Sequence, residues 1–194
     1  MIIILLWDLA KFLNINDGKD VYFSPIKDYF FQPLFQCCSR DEYIKIYGEP
    51  APPSLYPNMG IYLPNVNIQV LYDDGQSTGF VDFVRDKLNE NSIEKFSEVV
   101  YASFCLFHEE GHYNDFITSG FTVKEFIDRD SQERSSLEMQ RQYIQTLPVE
   151  ERELMSQLWY IQYFQLTAEK KANEYALNRM IENIEKILHF DNNY

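Results

Sequence analysis

Apolar positions along the chain change period near residue 90. Before that point they come in short runs broken by proline, glycine and asparagine. The stretch GIYLPNVNIQVLYDDG predicts two strands, Gly60 to Leu63 and Val66 to Tyr72, separated by a Pro-Asn turn and closed by Asp74-Gly75. The segment before it, GEPAPPSLYPNMG (48–60), carries four prolines, whose fixed φ and missing N–H exclude regular structure, so a loop or lid is expected. The N-terminal MIIILLWDLAKFL opens on seven apolar residues and predicts a buried strand or helix start. It lacks a basic n-region, and Asp8 and Lys11 come too soon for a signal peptide or a membrane span.

From Asn91 the period becomes helical. Asn91 and Glu94 stand at capping-box spacing, and Phe96, Val99, Val100, Ser103 and Phe107 follow at helical intervals. Within this helix VVYASFCLF is apolar nearly all round, which predicts burial in the body of the protein. Ser119-Gly120 supplies a stop, and Thr122 with Glu125 another start. The most charged region, 128–153, reads as exposed helix and loop. Pro148, with Glu150 and Glu151, opens a last periodic stretch through Leu154, Leu158, Ile161, Ala168, Ala172, Tyr175, Ala176, Met180, Ile184 and Ile187. It forms one long helix or two with a break near Gln165 to Ala168. The expected fold is a mainly helical α+β domain spanning 1–194, loop-rich over 1–90 and helical over 91–194, with a small sheet beside the helix that carries residues 101–116.

A chain of 194 residues suits one hydrophobic core, and 14 Tyr with 15 Phe make a globular composition. The formal charge of −13 argues against a nucleic-acid backbone as partner, since phosphate neutralisation needs clustered Lys and Arg. No membrane association is expected. Cysteine comes as the adjacent pair Cys37 and Cys38 plus a lone Cys105, with no spacing that suggests a bridge framework, so a reducing, cytoplasmic setting is expected.

The candidate chemistry lies in YASFCLFHEEGHYNDF. The chain has only three histidines, and two of them, His108 and His112, lie four apart, which on a helix puts both imidazoles on one face. One Zn²⁺ can bridge them. Glu109, about 100° round the helix, misses the metal but reaches a water beside it, as a zinc hydrolase requires. A catalytic zinc site usually has a third protein ligand. The extended HExxHxxGxxH pattern is absent, since Asp115 and Thr118 occupy its Gly and His positions. His189 lies near the C-terminus. Asp115 shares the histidine face but would approach the metal poorly from the same helix, and stands as a candidate to orient an imidazole. Glu169, in TAEKKANEYALNRM, is the remaining candidate. Gly111 inside a helix suggests close approach of another backbone, Cys105 reads as core packing, and Glu110 is expected to face away from the metal.

HEEGH followed by Glu169, Ala172, Asn173, Tyr175 and Ala176 (E-x-x-A-N-x-[FY]-A) resembles the ImmA/IrrE family of zinc metallopeptidases. The resemblance covers about 90 residues, to Met180. It implies a gluzincin-like site with His108, His112 and Glu169 as zinc ligands and Glu109 as general base. The segment 122–165 between the two motifs then stands as an insertion, a substrate-recognition element or a cover. The reading that follows is an intracellular zinc peptidase acting on a protein or peptide, with the strand Val66 to Tyr72 holding the substrate by strand addition and an unassigned Tyr or His steadying the oxyanion. Two others stay open: a zincin-like chain that acts by binding a partner without catalysis, and an acidic interaction protein in which HEEGH is incidental.

Overall fold

A computed structural model describes residues 3–15, 17–24 and 32–193. Among these, the elements run α1 (Leu6–Phe12), β1 (Val21–Ser24), β2 (Leu34–Gln36), α2 (Arg40–Tyr47), β3 (Gly60–Pro64), α3 (Ile68–Thr78), α4 (Phe80–Glu90), α5 (Glu98–Thr118), α6 (Val123–Gln145), α7 (Val149–Tyr163) and α8 (Thr167–Asn193). The class is α+β, mostly helical, with one three-stranded mixed sheet ordered β1-β3-β2. Parallel pairing sets Val21 opposite Ile61, and antiparallel pairing sets Phe35 opposite Ile61 on the other side. β3 is therefore central and buried, while β2 is an edge that lies against α5.

One core joins α1, β3, α3, α4, α5 and α8. At its centre is α5, in which every residue from Val99 to His108 is buried, as the all-round apolar pattern predicts. Its most extensive partner is α8. The two run antiparallel, since Lys95, just before α5, meets Asp191 late in α8, whereas Asp115 near the end of α5 meets Lys171 near the start of α8. Helices α6 and α7 pack chiefly on each other and form the wall between the two motifs.

Several expectations hold. β3 coincides with the first expected strand, and the Thr122/Glu125 capping box is formed on both sides. Residues 119–120 close α5. Pro148 precedes α7, and the last periodic stretch breaks into two helices at 164–166. The N-terminal apolar run is a bridge and then a helix: Leu5 pairs with Asn67 before α1 begins.

Two expectations are overturned. Residues from Val66 to Tyr72 are not a strand, because Asn67 accepts a hydrogen bond from the Gln69 amide at 3.0 Å and caps α3. The core face of α3 is Ile68, Leu71 and Gly75, a helical spacing that a short apolar run hides. Gly75 closes no turn either. It makes room for Tyr101, whose hydroxyl occupies the space that a Cβ at that position would need. The second correction concerns the start of α5, which is capped by Ser97 accepting from Val100 N at 3.2 Å and not by Asn91. Asn91 instead ends α4, and Ser92 turns the chain at φ 63° so that Ile93 is buried. Among the described residues, no helix is long and apolar enough to cross a membrane.

Candidate metal centre

The histidine pair sits on the buried part of α5 and faces α8. His108 Nε2 and His112 Nε2 are 3.0 Å apart, and Glu169 Oε2 lies 3.2 Å from the first and 3.7 Å from the second. A tetrahedral ion with ligands at about 2.0–2.1 Å sets its donor atoms about 3.3 Å apart, and these three separations scatter round that value. Two imidazole nitrogens and one carboxylate oxygen, held at that spacing, can therefore hold a divalent ion. Such a donor set would suit zinc and would leave room for one further ligand.

Proximity of α8 to α5 is what brings Glu169 to the pair. A Cβ on Gly111 would lie 2.8 Å from Ala172 Cα and 2.9 Å from its carbonyl oxygen. Only glycine permits this contact, which accounts for a helix-weakening residue inside HEEGH. His108 and His112 flank Gly111 on α5, and Glu169 and Asn173 flank Ala172 on the antiparallel α8, so the contact lies among the four side chains. The orientation of His108 is set by Asn173, whose Oδ1 lies 2.9 Å from Nδ1. With the amide oxygen as acceptor, Nδ1 carries the proton and Nε2 presents its lone pair to the site.

Glu109 is also close: its carboxylate and the two imidazoles offer ligand atoms within 4.8 Å of one another. It differs from Glu169 in its partner. Phe35 on the edge strand β2 donates its backbone N–H to Glu109 Oε2 at 2.6 Å, so this oxygen is committed to the strand and Oε1 is the one left for a water. Burial pushes the Glu109 carboxyl up, against the imidazoles and the Phe35 amide that hold it down. On Glu169 burial is outweighed by the facing His108 and His112 imidazoles, and the carboxyl is held well below the usual range. Burial opposes charge on His112, yet the Glu169 and Glu109 carboxylates raise it.

A cavity of about 740 Å³ opens over the group, walled by Phe80, Phe126, Leu137, Trp159, Tyr160 and Phe164. Much of that wall belongs to α6 and α7, so residues 122–165 cover the site. Arg134 on α6 donates to Glu169 Oε1 at 2.6 Å, to the Tyr163 hydroxyl at 2.9 Å and to Asp130 at 2.8 Å. Burial, then the Glu169 carboxylate, push the Tyr163 phenol above its ordinary range, against the Arg134 charge.

The other sequence candidates fall elsewhere. Asp115 orients no imidazole, since its oxygens are taken by Arg129 and Lys171, each at 2.7 Å; Asn173 has the role instead. His189 meets Asn193, and its place on α8 is about 30 Å of helix rise from Glu169. Glu110 faces away, into Lys19 at 2.6 Å and Arg179 at 3.4 Å. Cys105 is buried, and its burial raises the thiol above the ordinary range. Arg134 and Tyr163 carried no signal in the sequence, where they fall among ordinary charged and aromatic positions of helices. Phe35 acts through its backbone, which no residue type announces. No protein-family model, curated protein sequence or solved structure matches the chain.

Proposed function

We propose that the chain is a zinc-dependent metallopeptidase of the zincin type, similar to the ImmA/IrrE family, that hydrolyses a peptide bond in a protein substrate. The observation that carries this reading is the convergence of His108, His112 and Glu169 at the edge spacing of a tetrahedron, with a fourth side open to a cavity bordered by Glu109. When bound, zinc supplies a Lewis acid that polarises a carbonyl and acidifies a water. The chain's own residues do the rest. Asn173 fixes the tautomer of His108. Glu109 accepts the proton of the attacking water at Oε1, its affinity for that proton increased by burial, and gives it to the leaving amine nitrogen. The aromatic wall excludes bulk water and suits an apolar side chain of the substrate. An intracellular setting belongs to this reading, supported by the odd cysteine count.

The test is digestion of a proteome-derived peptide library by the zinc-loaded chain, with new termini read by mass spectrometry. Cleavage is expected from the wild type, should vanish with a chelator, and should fall by about 10² to 10⁴ in Glu109→Gln while zinc stays bound. Equal cleavage by both proteins removes Glu109 as the base. A zinc-loaded wild type that cuts nothing overturns the peptidase and leaves a metal-holding binding protein.

A further inference from the structure

The segment between the two motifs brings a phenol to the cavity over the histidines. Arg134 Nη1 donates to the Tyr163 oxygen at 2.9 Å, while Nη2 donates to Glu169 Oε1 at 2.6 Å. A guanidinium has donors only, so it takes a lone pair of the phenol and leaves the phenolic proton for acceptors on the site side, where the Glu169 carboxylate beside the histidines is its partner in the resting chain. The tyrosine ring is held as well: it stacks on Trp159 at 5.3 Å, and the Arg134 guanidinium carbon lies 5.0 Å from its centroid. Tyr163, Arg134, His108, Glu109 and His112 all line the same cavity. Arg134 is committed to three acceptors, Glu169, Tyr163 and Asp130, and is held in place by them. Tyr160 shares the cavity wall, but among the described residues no side chain donates to its oxygen to direct its proton.

We propose that the Tyr163 hydroxyl donates to the oxyanion formed during peptide hydrolysis, with Arg134 as the positioning residue that turns its proton toward the site. This rests on the peptidase reading. The water oxygen bonds to the scissile carbonyl carbon as Glu109 takes its proton, and the carbonyl π pair moves to the oxygen, which accepts the Tyr163 O–H. Collapse restores the carbonyl and breaks the C–N bond, and the amine nitrogen leaves with the proton returned by Glu109. Tyr163 keeps its own proton throughout. A donor placed where charge develops stabilises the tetrahedral species more than the ground-state carbonyl.

The experiment compares two probes on the zinc-loaded full chain by calorimetry: N-phosphoryl-leucyl-phenylalanine, a tetrahedral oxyanion, and acetohydroxamate, a small planar chelator that needs no such donor. Tyr163→Phe keeps the ring and its stacking. It should retain one zinc and bind acetohydroxamate within about twofold of wild type, but lose about 10- to 100-fold in affinity for the phosphoramidate. Arg134→Lys, which keeps the charge but not the fork, should show a smaller loss of the same kind and provides the comparison if Tyr163→Phe fails to fold. On a peptide cleaved by the wild type, Tyr163→Phe should lower kcat by about 10² to 10³ with KM little changed. Unchanged phosphoramidate binding in the folded variants overturns the role of Tyr163 while the peptidase reading survives. Zinc-loaded wild type that binds neither probe overturns both.

Discussion

Gly111 on α5 and Ala172 on α8 touch backbone to backbone, and a Cβ on Gly111 would stand 2.8 Å from Ala172 Cα. The contact sets the distance between the two helices at the level of the histidines. Substituting Gly111→Ala gains about 1 kcal/mol of helix propensity, yet overpacking against a backbone that cannot step aside costs about 1 to 3 kcal/mol. The variant should therefore be less stable in urea, and zinc affinity should fall with it as Glu169 withdraws. A more stable variant with unchanged zinc affinity would show that the helices are not held this closely.

Asn173 should act on metal affinity and not on the base. With its Oδ1 2.9 Å from His108 Nδ1, it fixes which ring nitrogen faces the site. Asn173→Leu should weaken zinc binding by about 10- to 100-fold, and Asn173→Asp, which keeps the acceptor, should restore most of it. Competition against a zinc-sensitive dye measures both. Equal weakening by Leu and Asp would assign the loss to packing and not to the tautomer.

Asp115 gives the fold a pH dependence. Burial opposes its ionisation, but hydrogen bonds from Lys171 and Arg129 win and hold its carboxyl below the ordinary value of 3.8. Because the folded value is the lower one, the unfolded chain binds the proton first, so this contribution is complete above the ordinary value and is lost as pH falls through the folded one. Asp115→Asn should cost about 1 to 3 kcal/mol near pH 7, between a surface pair and a fully buried one. The gap between variant and wild type should narrow below about pH 4. Denaturant melts at several pH values check this; a gap that stays constant down to pH 2 would contradict it.

The parts of the site that were legible in the sequence are the ones set by local geometry. His108 and His112 share a face because they are four apart on a helix, and Gly111 advertised a close contact by its type alone. Glu169 is 57 residues beyond His112 and was legible only through the resemblance of its surrounding motif. Arg134 and Tyr163 reach the site through the packing of α6 and α7 over the cavity, a tertiary fact with no local pattern. The misreading of α3 has a physical cause too: VNIQVLY satisfies both periods, and the Asn67 cap and the space that Tyr101 requires at Gly75 decide for helix. At α5, Asn91 and Ser97 are both competent caps, and the buried position of Ile93 between them selects the second.

The proposed function depends on a metal bound at this group, which can be tested without knowing a substrate. Protein prepared without chelators and loaded with zinc should bind one ion per chain, and X-ray absorption should report two imidazole nitrogens and a carboxylate oxygen at about 2.0 to 2.2 Å. His108→Ala and His112→Ala should lose the ion, and Glu169→Gln should bind it far more weakly with the oxygen contribution reduced. A wild-type chain that takes up no zinc, or a Glu169→Gln variant whose zinc content and absorption spectrum match the wild type, would contradict the assignment of His108, His112 and Glu169 as one ligand set.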